Sequence, residues 1–131
     1  MTLPTDVSER LAGEPLSAFL ATSADDRPHV APVWYLAHEG YIWLFTGGQK
    51  LANIRANPRV ALAIEQSGDE GWLAVCRGTA TVVDDVETRE DVASRLFSQY
   101  LDDGEQYRTE SGEPTGALVR IDVGSVDFRD Q

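Results

Sequence analysis

Residues 41–65 read YIWLFTGGQKLANIRANPRVALAIE and join a strand, a glycine turn, a short helix and a second strand. The aromatic and β-branched residues at the start of this stretch favour a strand. Thr46 and Gln49 have the spacing of a capping box, so we predict that Thr46 is the N-cap of the helix. The helix ends before Asn57-Pro58, because a residue that precedes proline disfavours helical backbone. The apolar residues after Pro58 alternate, which predicts a buried strand.

The segments before this stretch predict a short helix and two more strands. Residues 6–13 have the apolar spacing of an amphipathic helix. Residues 16–22 and 29–37 predict strands that form an antiparallel meander with the strand at 41–45. Pro32 has no backbone N–H, so it predicts either an edge strand or a bulge.

The segments after this stretch complete a mainly β chain. Residues 72–83 predict a long strand in which Gly78 marks a bulge or a close approach of two backbones. Asp84-x-x-Glu87 opens the longest helix, and residues 117–123 predict the last strand. Five or six antiparallel strands with two or three helices favour a small closed or nearly closed barrel.

The composition predicts one globular domain that spans residues 1–131. The chain has 131 residues, of which 42% are hydrophobic, and this fraction argues against disorder. No apolar run approaches the roughly 20 residues that cross a bilayer, and the first residues lack the apolar core of a signal peptide. We therefore predict a cytoplasmic protein without a membrane partner. Cys76 is the only cysteine, which excludes an internal disulfide and a multi-cysteine metal site.

The chain is strongly acidic, with 22 acidic residues, 11 basic residues and a formal net charge of -11. Such a field repels phosphate backbones, so we predict no nucleic-acid partner. Lys50 is the only lysine, and all other bases are arginines. An acid-rich, lysine-poor surface suits a cytoplasm of high ionic strength, where salt screens self-repulsion. We predict a salt-adapted (halophilic) host; the alternative is an ordinary acidic protein that favours arginine.

The glycine turn before the short helix predicts an anion site. A helix N-terminus presents unpaired N–H groups, and the two glycines allow such groups to curl around an anion. The Thr46 hydroxyl and the Lys50 ammonium would complete a phosphate site. The alternative is a capped helix with an exposed lysine and no ligand.

The other reactive side chains predict no catalytic centre. Cys76 has no recognisable base and is interpreted as a buried, inert thiol. His29 is interpreted as an exposed histidine, with contact to a ligand as the alternative. The acidic pairs at 25–26, 84–85 and 102–103 are interpreted as solvated surface and not as a metal or glycosidase site.

Several runs of the sequence resemble the pyridoxamine phosphate oxidase-like family of flavin-binding split β-barrels. The resemblance implies a mainly β fold, a small antiparallel split β-barrel of about six strands with two to three helices. It also implies a homodimer with its cofactors at the subunit interface. The matching runs are RPHVAPVWY at 27–35, IWLFT at 42–46, KLANIRANPRVAL at 50–62, GW at 71–72, RGTA at 77–80 and LVRI at 118–121.

The resemblance also implies which residues bind the cofactor. The second predicted strand supplies backbone hydrogen bonds to the flavin ring, and Thr46 and Lys50 occupy the phosphate-binding positions. Asn53 and Arg55 lie on the same helix and assist, and Trp72 begins the strand that approaches the ring from the partner subunit. The full implied set is Val30, Ala31, Pro32, Val33, Trp34, Phe45, Thr46, Lys50, Asn53, Arg55 and Trp72.

The implied function is an FMN-dependent oxidoreductase that acts on a small-molecule redox substrate. The chain end at 126–131 lacks the arginine-rich signature with tryptophan of the vitamin B6 oxidases, so we do not expect that activity. The run at 50–58 also occurs in the branch that uses the deazaflavin coenzyme F420, and a reductase that uses F420 as cosubstrate is therefore an alternative. A non-catalytic flavin-binding module and a structural dimer with a decayed site are further alternatives.

The melting temperature is expected to rise when KCl is raised from low to molar concentration at pH 7, because salt screens the repulsion among the excess acids. The measurement is thermal unfolding followed by circular dichroism. As a control, the dependence on KCl is expected to be much weaker near the sequence pI of 4.4. A melting temperature that is independent of KCl at pH 7 would contradict the prediction.

Overall fold

A computed structural model describes residues 3–13, 15–101 and 114–130 of the chain. The acidic pair at 102–103 therefore lies outside the described residues. The described part contains three helices and seven strands. The helices are α1 (Thr5–Ala12), α2 (Gly48–Ala56) and α3 (Val86–Tyr100), and the strands are β1 (Ser17–Ala24), β2 (Arg27–Trp34), β3 (Leu36–His38), β4 (Tyr41–Thr46), β5 (Arg59–Gln66), β6 (Trp72–Val83) and β7 (Ala117–Asp130).

The strands form one antiparallel sheet in the order β2-β1-β5-β6-β7-β4-β3. Strands β2 and β3 lie at opposite edges of this sheet, yet only Tyr35 separates them along the chain. The sheet therefore curls until its two edges approach each other at Tyr35. This curled sheet is a split barrel, so the predicted fold class is confirmed.

The predicted meander of the first three strands is confirmed in its two antiparallel hairpins and wrong in its continuity. Strand β2 pairs with β1, and β3 pairs with β4, whose other neighbour is β7. Residues 29–37 do not form one strand, because the chain breaks at Tyr35 and continues as β3. An alternating pattern does not show that a strand is interrupted and that its two parts lie at opposite edges of a sheet. The break also explains why seven strands are present where about six were predicted.

The barrel interior is apolar and is closed at one end by α1. Leu3, Val7 and Leu11 of the N-terminal segment are buried in the main core, as the apolar spacing predicted. Tyr35 is fully buried in the same core, and its hydroxyl donates to the carbonyl oxygen of Leu11 at 2.7 Å. This bond ties α1 to the residue at which the sheet edges approach each other.

Helix α3 covers a second apolar cluster on the outside of β4 and β7. Val92, Leu96 and Phe97 pack there against Trp43 and Leu118. The helix begins one residue later than predicted, because Asp85 rather than Asp84 is the N-cap and accepts a bond from the Thr88 N–H at 2.9 Å.

Two predictions about the backbone of the strands are confirmed. Pro32 lies on the edge strand β2, where a missing N–H costs no ladder bond. The pairing of β6 with β7 shifts register between Arg77 and Gly78. A Cβ atom at Gly78 would lie 2.2 Å from the carbonyl oxygen of Asp122, so only glycine fits this bulge.

The predicted capping box is wrong. Thr46 pairs with Ala117 as the last residue of β4, and the N-cap of α2 is Gly47, without a side-chain cap. The ladder between β4 and β7 holds Thr46 in the strand, one residue away from the cap position. Gln49 donates instead to Oδ1 of Asn53 at 2.7 Å. Within the described ranges, no helix is long and apolar enough to cross a membrane.

Candidate functional site

A cleft of about 340 Å³ lies where β2, β4, α3 and the start of α2 meet. Six of the residues that the sequence predicted as cofactor-binding line it together, although they come from three separate elements. The curl of the sheet brings β2 close to β4, and this proximity creates the cleft. Its lining is Pro32, Val33, Trp34, Phe45, Thr46, Gly47, Lys50, Leu96, Phe97, Thr115 and Gly116.

The polar end of the cleft contains an unsatisfied hydroxyl. Thr46 is only 6% exposed, and its Oγ1 atom has no hydrogen-bond partner among the described residues. An unpaired buried polar group costs about 1–3 kcal/mol, so native structures rarely retain one without a reason. A ligand acceptor in the cleft would supply the missing partner.

The start of α2 adds further donors at the same end of the cleft. The first N–H groups of a helix have no intrahelical acceptor and carry a partial positive charge. Cβ atoms built at Gly47 and Gly48 would meet nothing within 4 Å, so the space beside this turn is open. Gly48 has a φ of 58°, which favours glycine. Lys50 forms no ion pair in the part of the chain that the structure describes, so its ammonium is available to an anion.

The other end of the cleft is aromatic and is supported from behind by α3. The rings of Phe45 and Phe97 stack at 6.4 Å with an interplanar angle of 28°. Arg89 lies over Phe45 at 5.6 Å and donates to the carbonyl oxygens of Pro114 and Gly116, each at 3.1 Å. These contacts hold β4, α3 and the segment before β7 together as one wall.

The last turn of α3 fixes Trp34, the residue of β2 that faces this wall. The ring of Tyr100 stacks on Trp34 with a centroid separation of 4.8 Å and an interplanar angle of 10°. The Tyr100 hydroxyl donates to the carbonyl oxygen of Leu16 and accepts the Tyr35 N–H at 3.3 Å. Gln99 donates to the Tyr35 carbonyl oxygen at 3.3 Å. Burial raises the pKa of both tyrosines, which keeps these hydroxyls protonated.

Strand β2 presents its backbone along an open edge of the sheet. An edge strand leaves alternate N–H and C=O groups without a ladder partner, and these groups are available to a ligand. Val33 is buried, whereas Val30 is 65% exposed and Pro32 is exposed as well. The hydrogen bonds from residues 30–34 to a ring remain a prediction that this edge position suits.

Five of the predicted site residues do not line the cleft. Two of them, Val30 and Ala31, lie on β2 next to the residues that do; the other three are Asn53, Arg55 and Trp72. Asn53 is buried, and its Nδ2 donates to Oγ1 of Thr22 at 3.1 Å, which ties α2 to β1. Arg55 is exposed on the same helix. Trp72 is buried and stacks on Phe128 at 5.5 Å, away from this cleft. The cofactor roles of these three residues remain predictions.

The structure adds cleft residues that sequence reasoning missed. Leu96 and Phe97 belong to the apolar stripe of α3, and that stripe predicted burial but not contact with a ligand. No local sequence pattern indicated Thr115 and Gly116, which line the cleft, or Arg89, which lies over Phe45. Their positions depend on how α3 packs against β4. Gly116 has a φ of 81°, and its Cβ would lie 3.0 Å from the Thr46 carbonyl oxygen, so glycine is required beside the polar end.

Among the described residues, neither Cys76 nor a cluster of metal-ligating side chains offers a second reactive site. Burial raises the pKa of the Cys76 thiol to about 11, so the nucleophilic thiolate is scarce at neutral pH. No group of three or more His, Cys, Asp or Glu side chains within the described ranges could hold a metal ion. Among the described residues that line the cleft, Lys50 alone has a titratable side chain.

Comparison with known proteins agrees with this architecture. The sequence profile of pyridoxamine 5'-phosphate oxidase matches residues 4–130. The chain belongs to this family of split-barrel proteins. No curated protein matches the chain in sequence.

Solved structures from several bacteria share the fold of this family member. A FAD-binding protein from Mesorhizobium loti is 22% identical with a TM-score of 0.74, and the match covers 99% of this chain and 95% of the other. A conserved hypothetical protein from Mycobacterium tuberculosis is 24% identical with a TM-score of 0.80, over 99% and 86% of the two chains. A FAD-binding protein from Mycobacterium smegmatis is 18% identical with a TM-score of 0.68, over 100% and 99%.

Thr46→Val is expected to leave the free energy of unfolding of the cofactor-free protein unchanged, or to raise it by up to about 1 kcal/mol, because the hydroxyl loses no partner. Thr22→Val is the matched control, since Thr22 is equally buried but accepts a bond from Asn53 at 3.1 Å. Loss of that bond should cost about 1–2 kcal/mol. Urea unfolding measures both effects. Equal destabilisation by the two substitutions would show that the Thr46 hydroxyl is paired within the protein.

Proposed function

We propose that this protein binds FMN in the cleft between β2, β4 and α2 and acts as an oxidoreductase on a small-molecule substrate. The observation that carries the proposal is the buried Thr46 hydroxyl, which has no hydrogen-bond partner among the described residues and lines the cleft together with Lys50. A protein retains such a group at a cost in stability where a ligand completes it.

The polar end of the cleft suits the phosphate group of FMN. Thr46 would donate its hydroxyl hydrogen, Lys50 would place an ammonium against the phosphate charge, and the α2 N-terminus would add backbone N–H groups. Gly47 and Gly48 leave room for the phosphate because neither residue has a side chain. The residues present therefore fit the group that the family resemblance implied.

The aromatic end of the cleft suits the flavin ring. Trp34, Phe45 and Phe97 offer apolar surface, and the edge of β2 offers backbone hydrogen-bond groups. When it is bound, FMN supplies the hydride or electron transfer. The chain's own residues would bind the ring, orient it and exclude water, which agrees with the absence of an acid–base pair from the lining of the cleft.

The neighbouring structures and the phosphate end of the cleft bear on the identity of the cofactor. The proteins from Mesorhizobium loti and Mycobacterium smegmatis are described as FAD-binding, which supports a flavin. FMN is the flavin that the family resemblance implied, and Thr46, Lys50 and the start of α2 provide one phosphate end in the cleft. Coenzyme F420 is the alternative, since it also carries a phosphate beside a flavin-like ring.

An apolar outer surface supports the proposal that the protein is a homodimer. Phe19 on β1 is 50% exposed and lies opposite Pro32 on β2 and Ala63 on β5. Val30, on the same face, is 65% exposed, and Val75 of β6 continues this surface beside Ala63. Phe19, Val30 and Pro32 are exposed, whereas Ala63 and Val75 are half-buried. An apolar surface that continues across four strands is typical of an interface. A second copy on this face would also cover Pro32, which lines the cleft.

A cytoplasmic location and a salt-adapted host remain predictions from composition. They affect how the proposal is tested, because the protein is best purified and assayed in high salt. Assays with a reductant and an acceptor measure turnover and identify the substrate. The same assays distinguish an enzyme from a non-catalytic flavin-binding module.

Lys50→Ala is expected to weaken FMN binding by about 1.5–3 kcal/mol, the contribution of a hydrogen bond to a charged group. The absorption spectrum and mass of the material extracted from the purified protein identify any bound cofactor. Titration of the cofactor-free protein with FMN, and then with F420, gives the affinities. Arg95→Ala is the control, because it removes the same charge from an exposed pair with Asp91 on α3. Unchanged FMN affinity in Lys50→Ala would remove Lys50 from the phosphate site, and binding of F420 alone would assign the protein to the reductase branch.

Phe19→Asp combined with Val30→Asp is expected to convert the dimer into a monomer, because each charge would be buried in an apolar interface. Analytical ultracentrifugation in concentrated salt measures the mass against the 14.4 kDa of one chain. Val86→Asp is the control, since Val86 is 75% exposed at the start of α3, away from this surface. A wild-type protein that sediments only at the mass of one chain would contradict the dimer.

A further inference from the structure

A second concave surface of about 740 Å³ crosses β1, β5, β6 and β7. We call it the arginine groove, because Arg59 and Arg77 line it and no acidic side chain does. It shares no lining residue with the cleft described above. Its lining is Ala21, Thr22, Ser23, Pro28, Arg59, Val60, Ala61, Arg77, Gly78, Thr79, Gly124 and Ser125.

The sheet register places the two arginines on one face of the sheet. Arg59 of β5 lies opposite Thr79 of β6, and Ala61 lies opposite Arg77. Arg59 and Ala61 are two residues apart, so they project to the same face, and the arginines are diagonal neighbours. Diagonal side chains on paired strands are about 7–8 Å apart, within reach of long side chains. Two like charges at this spacing repel each other unless an anion lies between them.

Neither arginine is fully neutralised within the described residues. Arg59 forms no side-chain ion pair there, and only its backbone N–H is bound, by Oδ1 of Asn57 at 3.2 Å. Arg77 contacts Asp127 at 3.2 Å, but both side chains are more than half exposed. An exposed pair of this kind contributes about 0–1 kcal/mol, so a ligand anion can compete with Asp127 for Arg77.

The charge of the groove is opposite in sign to the net charge of the chain. Acidic residues outnumber basic ones by 22 to 11, so the charged side chains of a surface region are more often acidic than basic. The floor is shallow because its residues are small, and the bulge at Gly78 excludes a side chain there. Thr79 lies opposite Arg59 and Ser125 lies opposite Arg77 in the strand ladders, and both hydroxyl residues line the groove. Guanidinium and hydroxyl donors around a small floor match the acceptors of a phosphate or carboxylate group.

We propose that the arginine groove binds a phosphate- or carboxylate-bearing small molecule at a site separate from the flavin cleft. Arg59 would hold one side of the oxyanion, and Arg77 would exchange its exposed contact with Asp127 for the ligand. This site does not depend on the proposed redox function, since none of its residues lines the cleft.

Isothermal titration with inorganic pyrophosphate tests the proposal, at the lowest KCl concentration at which circular dichroism shows the protein folded. It is carried out on protein whose cleft is occupied by FMN, or whose anion end is weakened by Lys50→Ala. Arg59→Gln and Arg77→Gln are each expected to weaken binding roughly three- to tenfold, as loss of one charge-assisted hydrogen bond does. Asp127→Asn is expected to strengthen binding, because it releases Arg77. Arg95→Gln changes the net charge equally but lies outside the groove, and its effect should stay under about twofold.

Three results would overturn the proposal. If Arg95→Gln and Arg59→Gln weaken pyrophosphate binding equally, the effect is due to the net charge of the protein and not to the groove. Loss of all pyrophosphate binding in Lys50→Ala would assign the anion to the flavin cleft. Loss of the dimer in Arg59→Gln, with no pyrophosphate binding by the wild type, would assign the groove to contact with a second copy. FMN titration of the same variants separates failure of this proposal from failure of the flavin proposal, because the groove variants should bind FMN like the wild type.

Discussion

The chain crosses from one edge of the sheet to the other within a single residue, Tyr35, and the remaining structure depends on this crossing. A flat sheet of seven strands could not accommodate it, because its edges would lie far apart at about 4.8 Å per strand. The sheet must therefore curl. The fully buried ring of Tyr35 and its hydroxyl bond to Leu11 stabilise the crossing from inside the barrel. From outside, Tyr100 and Gln99 of α3 bind its backbone groups.

The cleft is a direct consequence of the same crossing. Trp34 precedes Tyr35, and the curl brings it near Phe45, which lies two strand elements later in the chain. Helix α3 stabilises both sides, since Tyr100 stacks on Trp34 and Phe97 stacks on Phe45. The polar end follows from the ladder between β4 and β7, which holds Thr46 in the strand and leaves its hydroxyl without a partner. The unpaired hydroxyl lowers the stability of this part of the fold, as is expected at a site where a bound ligand supplies the missing hydrogen bond.

Much of the fold and part of the site could be predicted from local chemistry. The edge position of Pro32 follows from its missing N–H, and the bulge at Gly78 follows from glycine inside a long strand. The cluster of Thr46, the glycines and Lys50 was recognisable because all these residues belong to one strand–turn–helix segment. The capping role of Thr46 was wrong for a non-local reason, since its pairing with Ala117 decides its conformation. Leu96 and Phe97 could not be found, because the packing of α3 alone brings them to the cleft.

The sequence by itself determined the kind of elements, the composition of the polar end and the acidic character of the surface. These properties depend on neighbouring residues or on simple counts, so short-range chemistry is sufficient to predict them. The tertiary structure alone decided which non-consecutive strands pair, where the sheet edges meet and which aromatic side chains form the wall of the cleft. The arginine groove belongs to the second group, because Arg59 and Arg77 become neighbours only through the register of β5 with β6. Turn residues predict the pairing of consecutive strands, whereas pairing between distant strands depends on the burial of the folded chain as a whole.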